Sequence, residues 1–190
     1  MNKNIILIVI FIASILGAVY YFMNQTKGTL VPTAINAKEQ LRSDFLFETI
    51  EGKKIEVAVK DGEFHIKGME NRIVFLKVFG WDCQFCQKEI PELIKLKKEL
   101  GDSFEVIAIE AQQHSKETSL KKIEEYGINY HIVSGDDQKA FYAYLQERYG
   151  WTGIIPLTIV VAKGGKVLAF EIGAKSYSLS ELMKASLLRE

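Results

Sequence analysis

The stretch Ile73-Val74-Phe75-Leu76-Lys77-Val78-Phe79-Gly80-Trp81-Asp82-Cys83-Gln84-Phe85-Cys86-Gln87-Lys88-Glu89-Ile90-Pro91 decides the fold. Its first seven residues are apolar except for Lys77, which suits a central strand covered on both faces. From residue 89 onward apolar side chains recur at Ile90, Leu93, Ile94, Leu96 and Leu100, the spacing of a helix with one packed face. Two cysteines therefore stand between a buried strand and a helix. A helix start offers free N–H groups and partial positive charge, both of which favour a thiolate over a thiol. Cys83 is predicted to project from the first turn into solvent, and Cys86, three residues on, to face back toward the body. The pair can close a small disulfide, with Cys83 as nucleophile and Cys86 as the sulfur that resolves a mixed disulfide.

Other uses of two cysteines fit less well. A structural zinc site needs two more Cys or His ligands, and His65, His114 and His131 are single and scattered, so no metal is expected. Two inert core cysteines would not be flanked by Asp82, Gln84 and Gln87. Glu89 follows Cys86 by three residues, so one helical turn carries its carboxylate to the Cys86 side. Shielded from water, such a carboxylate can take the Cys86 proton; the plainer reading is an exposed helix glutamate. Pro91 falls inside the helix and should kink it. Lys77, six residues before Cys83, either favours the thiolate or snorkels outward.

Working outward, residues 45–50 and 54–59 flank Glu51-Gly52, and residues 63–67 follow Asp61-Gly62, so a preface of small antiparallel strands is predicted. Beyond the central helix come a buried strand at 104–109, a helix at 117–126 ended by Gly127 and a short strand at 130–133. A helix at 137–149, a hairpin of 157–161 with 167–172 across Lys163-Gly164-Gly165-Lys166, and a final helix at 178–188 capped by Ser178 or Ser180 complete the chain. The order implies one α/β domain with a mixed sheet. Pro156 enters an apolar strand, where proline is normally excluded. A cis Ile155–Pro156 bond in a tight turn resolves this, as does a trans proline at a strand start.

The amino-terminal part has a different character. Residues 5–23 carry no charge and, as a helix, would span ~28 Å, close to the hydrocarbon thickness of a bilayer. We read residues 1–4 as a cytoplasmic leader, 5–23 as a transmembrane anchor, 24–44 as a linker and 45–190 as the exported domain. A cleaved signal peptide is the competing reading, but the run is long and lacks a clear A-x-A-like site. Over all 190 residues, 24 Lys and Arg balance 24 Asp and Glu, which argues against nucleic acid as a partner.

With the strand, Trp81, the Cys83-x-x-Cys86 pair, Glu89, Pro91 and Pro156 before a hairpin and a last helix, residues 45–190 resemble the thioredoxin fold. More closely, the chain is similar to the membrane-anchored TlpA/ResA/CcmG group of bacterial thiol–disulfide oxidoreductases. The resemblance implies a three-layer α/β fold around a central mixed sheet, with an N-terminal strand extension and an N-terminal transmembrane helix. It implies Cys83, Cys86 and Glu89 as catalytic residues, and no cofactor beyond the redox-active Cys83–Cys86 disulfide itself. Ile155 and Pro156 would line the substrate groove, with Trp81 beside it, while the loop before Pro156, longer here than in the family, would let Trp151 cover the site. The partners implied are protein thiols and disulfides, with apocytochrome c haem-site thiols a family-level substrate, and a membrane electron donor. The location implied is the inner membrane, single-pass, with the domain on the periplasmic side. Three departures stand out: Gln84-Phe85 where many relatives have proline second, Lys77 where relatives are often neutral, and a loop before Pro156 that is one residue longer. A thiol oxidase runs the same chemistry in reverse. A peroxiredoxin-like peroxidase would need a Thr-x-x-Cys context, and position 80 is Gly. A non-catalytic binding module would not need both cysteines.

Overall fold

Alternating side chains on either side of two glycine turns build the first layer. In a computed structural model, which describes residues 43–188, Asp44–Glu48 (β1), Lys54–Lys60 (β2) and Glu63–Ile66 (β3) form an antiparallel sheet in the order β1-β2-β3. One face carries Phe45, Phe47, Ile55, Val57, Val59, Phe64 and Ile66, all buried, while most intervening residues face water. The leader, the anchor and nearly all of the expected linker lie outside the described residues. Among the described residues no helix is long and apolar enough to cross a membrane.

The second sheet has five strands in the order β6-β5-β4-β7-β8, formed by His131–Ser134, Phe104–Glu110, Ile73–Phe79, Leu157–Val161 and Val167–Ile172 respectively. Strands β4, β5 and β6 run parallel, while β7 and β8 are antiparallel to their neighbours. The apolar run thus becomes the middle strand, as its lack of alternation predicts. Side chains of β4 still alternate between the two faces. Phe75 and Phe79 join a core cluster with Cys86, Ile90 and Leu93 from Gln84–Leu100 (α1) and with Leu179, Leu182 and Met183 from Leu179–Leu187 (α4).

Lys116–Tyr126 (α2) adds Ile123 and Tyr126 to that cluster. Lys139–Tyr149 (α3) meets the small sheet, where the Phe141 ring makes edge contacts with Phe45, Phe47 and Phe64. The two sheets are joined through Ile50 N–H donating to Ile132 O at 2.8 Å and Phe64 N–H donating to Gly165 O at 2.7 Å.

Helix α1 differs from expectation at its start. It begins at Gln84 rather than near residue 89, because the cysteine motif itself forms the first turn. Gln84 and Phe85 are exposed and Cys86 is the helix's one buried residue before Ile90, so the first turn leaves no apolar period to read. The helix then continues through Pro91 to Leu100.

Candidate active site

Cys83 is the N-cap of α1, and its Sγ accepts a hydrogen bond from the Cys86 backbone N–H at 3.2 Å. Any negative charge on Cys83 would be met by that amide and by the positive end of the helix. The two cysteines are joined as a disulfide, with Cα atoms 5.2 Å apart. Cys86 is 1% exposed, whereas Cys83 is only half-buried. One sulfur is therefore open to attack, and its partner waits beneath it.

The loop that presents Cys83 is held from below. Trp81, 1% exposed, stacks on Tyr126, meets Phe79 edge-on and donates from Nε1 to Ser119 Oγ at 3.1 Å. This corrects the expectation that Trp81 lies along a substrate groove: its indole is a buried brace. Gln87 Nε2 donates to Trp81 O at 2.6 Å, tying α1 to the same loop. Gly80 leaves room for Gln112, whose side chain would clash with a Cβ at that position. Gln112 Oε1 is thereby able to accept from Asp82 N–H at 2.8 Å. His114 stands between Asp82 and the buried Glu110, with ring-nitrogen to carboxylate distances of 3.1 and 3.2 Å. Glu110, Gln112 and His114 are near one another in sequence, but only the pairing of β4 with β5 brings Asp82 to them, so sequence spacing did not show the cluster.

Pro156 follows a cis peptide bond and enters β7, whose first residue Leu157 pairs with Val78 near the end of β4. This register brings Ile155 and Pro156 to the sheet end from which the cysteine loop emerges, and Ile155 packs against the same cluster as Cys83. Trp151 is buried against Tyr142 and donates to Ile154 O at 2.8 Å, so it braces this loop instead of covering the site. The exposed apolar side chains here are Phe85, at 53%, and Ile154, at 54%. Phe85 was singled out from sequence only as standing where many relatives have proline, not as an exposed apolar contact, and Ile154 was not singled out, although an apolar residue inside the Cys-x-x-Cys turn is itself a signal.

Glu89 is 13% exposed and is not the free helix glutamate of the plainer reading. Its Oε2 accepts from Lys77 Nζ at 2.8 Å, and its Oε1 lies 3.4 Å from Lys175 Nζ. Lys77 points inward, 2% exposed, and donates also to Thr158 Oγ1 at 2.6 Å, so it does not snorkel. Burial pulls its pKa down to about 8 against the opposing pull of Glu89. Among the described residues, no group of three or more His, Cys, Asp or Glu is placed to hold a metal ion.

An accessible sulfur at a helix start, backed by a buried partner, can pass two electrons to and from protein thiols. On this fold it defines the class of thioredoxin-like thiol–disulfide oxidoreductases. The chain belongs to the AhpC/TSA family, which it matches over residues 47–170. It is 28% identical over 185 residues to the thiol-disulfide oxidoreductase ResA of Bacillus anthracis, covering 93% of this chain and 92% of that one. The ResA of Bacillus subtilis is 27% identical over 137 residues, with coverage of 72% and 68%. Two solved structures share the fold. StoA from Bacillus subtilis has a TM-score of 0.52 at 19% identity, covering 76% of this chain and 96% of that one. A DsbF homologue from Corynebacterium diphtheriae has a TM-score of 0.59 at 19% identity, with coverage of 78% and 85%.

Proposed function

We propose that the protein is an exported, membrane-tethered reductase of protein disulfides. The Cys83 thiolate attacks one sulfur of the target disulfide, forming a Cys83–target bond and releasing the other target sulfur as a thiolate. Cys86 then attacks Cys83 Sγ, releasing the second target thiolate and leaving the Cys83–Cys86 disulfide. Two electrons pass to the target, and a membrane donor restores the dithiol. Glu89 takes the proton from Cys86, and Ile155 and Pro156 hold the target strand.

The observation that carries this reading is the unequal exposure of the two sulfurs. Similarity to ResA supports the chemistry, and the uncharged residues 5–23 support a single-pass inner-membrane anchor with the domain on the periplasmic side. The paired cysteines of an apocytochrome c haem site are the substrate we propose.

Trapping tests the reading. A Cys86→Ser protein should accumulate covalent complexes through Cys83 that reductant dissolves, and mass spectrometry should identify disulfide-bearing exported proteins among them. A Cys83→Ser protein, which keeps only the buried Cys86, should trap few or none. Equal trapping by the two single variants would overturn the assignment of Cys83 as nucleophile.

A further inference from the structure

The ammonium group of Lys77 stands out because the lysine is buried, inward-facing and bonded to the one carboxylate that the mechanism uses. Lys77 leaves the middle strand on the face covered by α1, and Nζ bridges Glu89 Oε2 on the helix and Thr158 Oγ1 on β7. Lys175, from the segment between β8 and α4, approaches the other carboxylate oxygen and donates to Gly173 O at 3.2 Å. A groove of about 300 Å³ reaches Glu89 from outside, between Phe85 and Lys88 on one side and Lys175 on the other.

We propose that Lys77 is a positioning residue for the resolving step, holding Glu89 ionised and fixed one helical turn beyond Cys86, ready to receive the Cys86 proton. The inference rests on the assignment of Glu89 as proton acceptor. A carboxylate shielded from water without a cation takes up a proton and then has no site left to accept another. Two ammonium groups remove that difficulty, and the inner one also fixes the direction of the acceptor oxygen. In the step itself, the Cys86 S–H proton moves to Glu89. The freed electron pair on Cys86 attacks Cys83 Sγ, and the bond between Cys83 and the target breaks with its pair leaving on the target sulfur. The groove returns the proton to water.

Other groups around Glu89 leave this assignment intact. Glu92, on the same helix, accepts from Leu179 N–H at 2.7 Å. The Tyr130 phenol is pushed upward by burial and by the charge of Glu89, so it stays neutral. Lys77, at about 8, remains an ammonium at neutral pH.

The test uses the reduced protein and Ellman's reagent. The first thionitrobenzoate released reports attack by Cys83, and the second reports resolution by Cys86. Lys77→Met should leave the first release nearly unchanged. It should raise the pH of half-maximal resolution by about one unit or more, slowing resolution about tenfold at neutral pH. In a Glu89→Gln background the same substitution should change resolution less than about twofold, since no carboxylate remains to be held. If Lys77→Met does not fold, Lys77→Gln keeps a donor for Glu89 without the charge and should shift the profile in the same direction. An equal slowing in both backgrounds would make Lys77 merely structural, and an unshifted profile would also overturn the proposal. A Glu89→Gln protein with an unaltered profile would instead overturn the role of Glu89 itself.

Discussion

An ammonium group at the centre of a sheet is costly to desolvate, and Lys77 offsets that cost with Glu89 and Thr158. The residual burden appears as a pKa lowered from 10.5 to about 8. Between those values the unfolded chain holds a proton that the folded chain has released, so folding stability rises with pH across that window. Urea unfolding from pH 8 to pH 10 should show this rise in the unaltered protein, and the Lys77→Met/Glu89→Gln protein should lack it. The Cys83–Cys86 disulfide and the unequal exposure of its two sulfurs were legible from spacing, because both depend on a strand and a helix that are local in sequence. The partners of Lys77 were not. Thr158 is 81 residues from Lys77, and Lys175 is 86 residues from Glu89, so only the folded sheet and the final turn bring them together. Trp81 and Trp151 were misread for a related reason: a residue type near a motif does not say which way its ring points.

Helices and strands were read well where their patterns are strong and less well at their ends. Strands β4, β7 and β8 match their predicted limits, whereas α1 starts earlier than its periodicity does. For α4 the sequence left Ser178 and Ser180 as rival caps. The structure selects Ser178, whose Oγ accepts from Glu181 N–H at 3.1 Å while the Glu181 carboxylate accepts from Ser178 N–H at 2.8 Å. This reciprocal pair satisfies two helix-start donors at once. Replacing Ser178 with Ala should therefore lower the unfolding free energy by about 1 kcal/mol, read from the urea midpoint. The same change at Ser180 should stay within about 0.5 kcal/mol.

At the scale of the molecule, the class of fold followed from the order of elements, but the order of strands did not. Nothing in residues 157–172 announces that β7 pairs with β4 rather than with β6; the register is fixed by side chains buried on both sheet faces. The small sheet depends on α3 in the same non-local way. Phe141, 1% exposed, fills the space among Phe45, Phe47 and Phe64. A Phe141→Ala protein should lose about 3–5 kcal/mol of stability. Amide hydrogen exchange should then quicken in β1–β3 before it does in β4 and β5. The arrangement of the two sulfurs has one more implication for the working cycle. Since Cys86 is sealed off, the thiol that recharges the protein and the disulfide that discharges it must both arrive at Cys83. The two visitors share one doorway, so each must depart before the other can call, and the electrons are carried across in that interval with neither party present.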